Sequence, residues 1–181
     1  MYEGNNKVAL LSQQLIADAL LKLLESNTYT SISISDICKE ASVSRQTFYS
    51  LFGTKDSVMI YQLSNSCCYT PEHKKQECRK TGFREFCREY SQYIIRNRHT
   101  IELLVRNDMI HFLYDMQYQA FMECEHFIHD IYGDDRQFLI DFIAGGMSSI
   151  AKNYILTDSS ADEEFLADLM FRLFSGSYID D

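Results

Sequence analysis

Several polar side chains that could hydrogen-bond to DNA lie close together between positions 45 and 50. Arginine matches the two acceptors on the major-groove edge of guanine, and glutamine matches the donor and acceptor of adenine. The hydroxyl groups of threonine, tyrosine and serine are suited to phosphate oxygens. The residues that offer these groups are Arg45, Gln46, Thr47, Tyr49 and Ser50. A solvated polar face on an ordinary three-helix core is the alternative interpretation of the same residues.

Two short helices joined by a tight turn are predicted to position these side chains. Ser33 and Asp36 have the spacing of a capping box, so a helix begins there and continues through Ala41. Ser44 is suited to cap a second helix, which Gly53 ends. A pair of short helices with a turn of three or four residues is the smallest device that reads a DNA groove.

Packing within this pair of helices also favours a helix-turn-helix. Ile37 and Phe48 can pack between the two helices, and Val43 can fill the turn. Cys38 is small enough to allow the helices to approach closely. Ser42 lies where the turn requires a positive φ, which costs a non-glycine residue roughly 1 kcal/mol. The turn is therefore predicted to form with some backbone strain.

Further helices are predicted on both sides of this pair. Apolar residues recur at helical spacing over residues 7–25, from Val8 to Leu23. Thr54 is suited to cap the helix that follows. The negative charge of Asp56 in the first turn is stabilising, because the N-terminal end of a helix dipole is positive. Lys55, at the start of that helix, could hold the DNA backbone from outside the groove.

The charge of the chain is unusual for a protein that binds DNA. The net charge is −9, with −1 in residues 1–60 and −8 in the remainder. Because neutralising phosphates supplies much of the affinity for DNA, a neutral front part predicts weak nonspecific binding. This charge favours a second interpretation, a partner-binding co-regulator that keeps the fold but has lost sequence-specific DNA binding.

Composition and motifs exclude several other classes of protein. One proline and seven glycines are few, which favours long helices over strands joined by frequent turns. The polar N-terminus lacks a signal-peptide pattern, and no stretch approaches the roughly 20 apolar residues of a membrane span, so a cytoplasmic protein with no membrane partner is expected. Glycine-rich phosphate loops and nucleophile elbows do not occur, so neither an enzyme nor a cofactor is expected.

The cysteines and histidines are not expected to bind a metal. The six cysteines include no C-x-x-C pair, and a disulfide framework is not expected in a chain without a secretion signal. His126 and His129 share a helix face near Cys124, but such pairs are usually surface residues. The adjacent Cys67 and Cys68 are interpreted as structural or incidental thiols rather than as an oxidant sensor.

After a predicted hinge at residues 69–82, the chain is expected to form helices that hold a ligand. Residues 109–131 carry one apolar stripe and one stripe of aromatic residues with polar tips, which is common in pocket walls. Packing of these aromatic side chains on a neighbouring helix is the alternative. The candidate ligand-binding residues are Phe86, Tyr90, Tyr93, His111, Tyr114, Tyr118 and Phe121. They suit an apolar or aromatic ligand, and Glu125 would favour a cation.

The last two helices are expected over residues 135–156 and 161–175, and the second of them starts at a capping box from Ser160 to Glu163. A second subunit is predicted to cover part of both helices. Glycines inside a helix cost about 1 kcal/mol each relative to alanine, and the close approach of another helix would explain them. Helices that are apolar on two sides need two partners, so two from each chain are expected to form a four-helix interface. The candidate interface residues are Phe138, Phe142, Gly145, Gly146, Ser149, Phe165, Leu169 and Leu173. Burial within one chain is the alternative.

The segment from Ile34 to Asp56 resembles the signature of the TetR family of transcriptional regulators. The ending Tyr49-x-x-Phe52-x-x-Lys55-Asp56 is its most specific part, and the strong resemblance covers about residues 7–62. The run FIAGGM at positions 142–147 is similar to a common feature of the penultimate helix in this family.

This resemblance implies an all-α homodimer with a three-helix helix-turn-helix domain over residues 1–62 and a larger helical ligand-binding and dimerisation domain over residues 63–181. It implies a repressor that leaves a palindromic operator in double-stranded DNA when a small effector binds. By position, Arg45 and Gln46 would read bases. The residues implied to contact the DNA backbone are Ser33, Ser44, Thr47, Tyr49, Ser50 and Lys55. Ser42 in place of glycine and Cys38 in place of alanine depart from the family pattern.

Overall fold

The computed structural model describes residues 2, 4–65, 82–123 and 134–175. The regular structure of these residues is helical, which confirms the predicted all-α fold class for them. The helices are α1 (Lys7–Leu24), α2 (Ile34–Glu40), α3 (Arg45–Leu51), α4 (Lys55–Asn65), α5 (Phe83–Arg96), α6 (Arg98–Arg106), α7 (His111–Glu123), α8 (Asp134–Leu156) and α9 (Glu163–Phe174). The chain divides into two compact units, Met1–Asn65 and Ser66–Asp181. The predicted domain boundary after residue 62 lies within α4.

The core of the first unit forms where α1 packs against α2, α3 and α4. The side chains of Ile16, Ile37, Phe48 and Val58, one from each helix, have no exposed surface. Burial of a large apolar side chain contributes roughly 1.5–3 kcal/mol, so these contacts hold the short helices α2 and α3 in place. The predicted packing of Ile37 and Phe48 in this core is confirmed.

Local caps set where α2 and α3 begin. The Ser33 side chain accepts from the Asp36 backbone N–H and the Asp36 carboxylate accepts from the Ser33 backbone N–H, so the predicted capping box is confirmed. Ser44 caps α3 by accepting from the Thr47 backbone N–H at 3.0 Å. Ser42 has a φ of 55°, the left-handed conformation that the turn was predicted to require. The helix-turn-helix is thus built with a strained serine at its turn.

The second unit is a bundle in which α5 packs along α9, and α8 packs against both α6 and α7. Apolar side chains fill the spaces between these helices. Those with no exposed surface are Ile94, Ile101, Leu104, Leu113, Ile140, Ala144 and Ala151. The helical spacing of apolar residues in the sequence therefore places them on one face of each helix, and this face is buried.

A polar network lies inside this bundle. The Gln117 amide donates to the Tyr90 hydroxyl, and the Ser148 hydroxyl donates to the Gln117 side-chain oxygen at 3.0 Å. The Tyr90 hydroxyl lies 3.3 Å from the Met147 carbonyl, to which it donates. Because buried polar groups are costly unless they are paired, these bonds make the register of α5, α7 and α8 specific.

The start of α9 differs from the predicted capping box at Ser160. Asp162 is the capping residue, and its side chain accepts from the Phe165 backbone N–H at 2.9 Å. The preceding loop is held by Arg98, which donates to the Ser159 carbonyl at 2.9 Å and pairs with Asp158. Both serine and aspartate cap helices well, and the tertiary contacts of this loop decide which of them does so.

Some predicted features lie outside the described residues. They are residues 69–81 of the predicted hinge at 69–82, the Cys67–Cys68 pair, Cys124, Glu125, and the His126 and His129 pair.

Candidate nucleic-acid interface

Helix α3 presents an open polar face. Its Phe48 and Leu51 side chains are buried, and they attach the helix to the core of the first unit. The predicted base-reading residues Arg45 and Gln46 are exposed on the other side. Tyr49 is 48% exposed, which is unusual for a large aromatic side chain. The structure therefore brings the predicted residues of α3 together on one accessible surface.

The N-terminus of this helix is arranged around two hydroxyl groups. The Ser44 and Thr47 hydroxyl oxygens lie 2.8 Å apart, and Ser44 also accepts from the Thr47 backbone N–H. At the start of α2, the Ser33 hydroxyl donates to the Asp36 carboxylate at 2.6 Å, and this bond lowers the pKa of Asp36. A DNA phosphate at Ser33 or Ser44 would share or replace these local partners.

Arg45 and Tyr49 share the exposed face of α3, because residues four apart lie on the same side of a helix. The neighbouring Tyr49 hydroxyl raises the pKa of Arg45.

Lys55 has an internal role that spacing did not predict. Its ammonium donates to the carbonyls of Tyr29 at 2.5 Å and Ile32 at 2.8 Å, and it lies 4.0 Å from the centre of the Tyr29 ring. Burial lowers the pKa of Lys55. Lys55 thus ties the start of α4 to the connection between α1 and α2.

Sequence reasoning missed two tyrosines that support this surface. The Tyr29 hydroxyl donates to Asp56, and burial together with this bond raises the pKa of Tyr29. The Tyr2 backbone N–H donates to the Leu51 carbonyl at 2.8 Å at the end of α3, and the Gln13 amide donates to the Tyr2 carbonyl at 3.1 Å. The helical spacing of apolar residues does not predict these contacts, because each joins a residue outside the long helices to a residue distant in sequence.

The predicted ligand-binding residues separate into two groups. Phe86, Tyr90, Tyr93 and Phe121 are at least 95% buried, with ring centres 5.6 Å apart for Phe86 and Phe121 and 5.8 Å apart for Tyr90 and Tyr93. Phe121 therefore lies in the core, unlike Tyr114 and Tyr118 of the same predicted stripe. In this structure the rings of these four side chains pack against one another, and their role in ligand binding stays a prediction.

The remaining three candidates are accessible on α7. His111 is exposed, and Tyr114 and Tyr118 are half-buried. The two tyrosine rings stack with centres 5.8 Å apart and an angle of 26° between their planes. They line a surface groove of about 360 Å³ together with Gln137, Phe138 and Asp141.

The predicted dimer residues form an apolar surface on α8 and α9. Phe138 is 74% exposed, Phe142 63% and Phe165 54%. Gly145, Gly146 and Leu169 are half-buried, and Ser149 and Leu173 are exposed. Single exposed apolar residues are ordinary, but a row of exposed phenylalanines on adjoining helices is typical of a surface that a partner covers.

Together, a capped helix-turn-helix and a larger helical unit define a class: regulators that bind DNA through a small N-terminal domain. The family model for bacterial regulatory proteins of the tetR family matches residues 16–61. Residues 16–61, which include α2 and α3, are therefore similar to bacterial regulatory proteins of the tetR family.

Individual proteins are also similar to this chain, either in sequence over part of its length or in fold. The chain is 38% identical over 61 residues to the HTH-type dhaKLM operon transcriptional activator DhaS of Lactococcus lactis; the match covers 34% of this chain and 33% of the activator. Lin0861 from Listeria innocua has a similar structure, with a TM-score of 0.78 at 18% identity over 99% of this chain and 97% of that one. A TetR transcriptional regulator from Streptococcus agalactiae has a TM-score of 0.60 at 19% identity over 93% and 96%.

None of the described helices is both long enough and apolar enough to cross a membrane.

Proposed function

We propose that this protein is a cytoplasmic homodimer that reads a palindromic operator by placing α3 of each subunit in successive major grooves. The observation that carries the proposal is the open polar face of α3, which Phe48 and Leu51 hold rigidly from behind. A two-fold dimer presents two such helices, so its operator should have matching half-sites about one helical turn apart or a multiple of it.

Each exposed residue of α3 has a role in this proposal. Arg45 and Gln46 hydrogen-bond to base edges. The phosphate contacts come from hydroxyl and ammonium groups around the helix. The residues proposed for these contacts are Ser33, Ser44, Thr47, Tyr49, Ser50 and Lys55.

The lack of net positive charge in residues 1–60 determines how such a protein would bind. Residues 1–60 carry a net charge of −1, so the general attraction to phosphates is small. Sequence-specific contacts must then supply most of the affinity. We expect a large ratio of operator binding to random-DNA binding and a shallow dependence on salt.

Dimerisation through α8 and α9 is supported by Gly145. A Cβ added to Gly145 would have nothing within 4 Å, so packing within the described chain does not explain a glycine there. Glycine inside a helix costs about 1 kcal/mol relative to alanine, and a second subunit approaching closely would explain it. The exposed rings of Phe138, Phe142 and Phe165 would be covered in the same interface.

We propose repression as the regulatory outcome, with release when a small apolar or aromatic effector binds the helical unit. Tyr114 and Tyr118 are accessible to such an effector, whereas the four buried aromatic candidates would first have to be uncovered. Activation is the second candidate, because the relative from Lactococcus lactis that matches the DNA-binding segment is a transcriptional activator.

Selection of bound duplexes from a random DNA pool tests the proposal. The wild-type protein should enrich a palindrome, and Arg45→Ala/Tyr49→Ala should not. Arg106→Ala is the matched control, since it removes an exposed arginine that pairs with Glu102 in the other unit. Failure of the wild type to enrich any sequence at low salt would favour the co-regulator that has lost sequence-specific DNA binding.

A further inference from the structure

The groove between α7 and α8 has an aromatic wall. The stacked rings of Tyr114 and Tyr118 form one side, and the ring of Phe138, which is 74% exposed, borders the other. The volume of about 360 Å³ lies within the range of roughly 300–1,000 Å³ typical of small-molecule sites. The groove is therefore large enough for a compact organic molecule.

A carboxylate without a basic partner lies at this wall. Asp141 accepts a hydrogen bond from the Tyr114 hydroxyl, and in the described part of the chain no lysine, arginine or histidine pairs with it. Arg136 is the nearest basic residue in sequence, and it donates to the Phe121 carbonyl at 3.0 Å and the Met122 carbonyl at 3.3 Å. Its guanidinium is thus engaged at the end of α7.

Aromatic faces beside a carboxylate attract one class of ligand. The faces of phenol and phenyl rings carry negative partial charge and attract cations, most strongly those that shed water easily. The surroundings strengthen this preference, because the chain beyond residue 60 carries a net charge of −8. An anionic ligand would be repelled by Asp141, and a neutral one would leave its charge unused.

We propose that the α7–α8 groove binds a small organic cation, such as a quaternary ammonium or protonated amine, between Tyr114, Tyr118, Phe138 and Asp141. Binding itself does not depend on the proposed function. We also infer that this cation is the effector, and this second step rests on the proposed function. The binding experiment contains no DNA, so its result does not depend on whether the protein binds DNA. Phe138 also belongs to the proposed dimer surface, so the groove lies at the edge of that surface.

Choline and its uncharged isostere 3,3-dimethyl-1-butanol are suitable probes, because they have the same shape and differ in charge. Binding to the full chain is followed by the chemical shifts of 13C-labelled tyrosine rings, with the signals assigned from Tyr114→Phe and Tyr118→Phe. We expect choline to shift both signals with a Kd on the order of millimolar. The isostere should bind at least about fivefold more weakly.

Two variants separate the groove from general acidity. Asp141→Asn keeps an oxygen for the Tyr114 hydroxyl but removes the charge, and it should weaken choline binding at least about fivefold. Asp115→Asn removes an exposed charge from the same helix that does not line the groove, and it should weaken choline binding much less than Asp141→Asn. Unchanged shifts of the remaining tyrosines show that both variants are folded.

Three results would overturn the proposal. Equal binding of choline and its isostere would reduce the groove to an apolar surface. Equal effects of Asp115→Asn and Asp141→Asn would make the attraction a property of the whole acidic surface. No choline binding would overturn the proposal, and altered dimer dissociation in Asp141→Asn would then favour a second copy of the chain as the occupant of the groove. None of these results bears on whether α3 reads DNA.

Discussion

The ring of Phe174 occupies the space that a side chain on Gly146 would need. A Cβ built on Gly146 would lie 2.8 Å from Phe174 Cε1, which is closer than carbon atoms approach in proteins. The neighbouring Gly145 has open space at the same point. Two adjacent glycines of α8 therefore have different reasons to lack a side chain: one accommodates the chain's own α9, and the other faces outward.

This difference predicts unequal effects of alanine at the two positions. Gly145→Ala should stabilise the isolated subunit by about 1 kcal/mol, because alanine favours helix, while it weakens the dimer. Gly146→Ala should stabilise the subunit less than Gly145→Ala, since the Phe174 ring must move. Urea unfolding at several protein concentrations and sedimentation equilibrium measure both quantities. A dimer unaffected by Gly145→Ala would argue against an interface at this position.

Substitution of Lys55 tests whether this side chain stabilises the fold, contacts DNA, or does both. Lys55→Met should lower the free energy of unfolding by about 1–3 kcal/mol, because two backbone carbonyls lose their donor. Ser50→Ala, on the exposed face of α3, should leave stability unchanged and weaken operator binding. If Lys55 also contacts a phosphate, its loss should lower the slope of log K against log salt by about 1. An unchanged unfolding free energy in Lys55→Met would contradict the internal role.

The Tyr49 hydroxyl should contribute to base discrimination by Arg45, because the two side chains share the exposed face of α3. Tyr49→Phe removes the hydroxyl but keeps the ring. Operator affinity should fall roughly fivefold, and the preference at the base read by Arg45 should relax. Competition binding with operators substituted at single positions measures this loss. A uniform loss across all substituted operators would instead indicate that Tyr49 contacts only the backbone.

Tyr114 should titrate at unusually high pH. Its hydrogen bond to Asp141 raises the pKa of Tyr114 to about 12, because the carboxylate stabilises the protonated phenol. The raised pKa is a stability contribution that is fully present below pH ~10 and is lost as the pH rises towards the folded-state pKa. Asp141→Asn should bring the pKa of Tyr114 back towards its ordinary value, as measured from the 13C shifts of the tyrosine ring.

The sequence by itself determined the parts of the protein that depend on neighbours along the chain. Caps at Ser33 and Ser44, the strained turn at Ser42 and the apolar spacing around Phe48 act over a few residues, so their pattern predicted where α2 and α3 lie. The open face of α3 followed from the same periodicity, because side chains opposite a buried stripe must face solvent.

Only the tertiary structure decided which distant group each side chain meets. Periodicity showed that Phe121 lies on a helix face, but the position of α5 placed it in the core. The position of Lys55 at the start of α4 is compatible with an outward side chain. In the folded chain its ammonium instead donates to the carbonyls of Tyr29 and Ile32. Gly145 and Gly146 look alike in sequence and differ because α9 passes only one of them. A helical repeat specifies the direction of a side chain, whereas packing between helices distant in sequence specifies its partner.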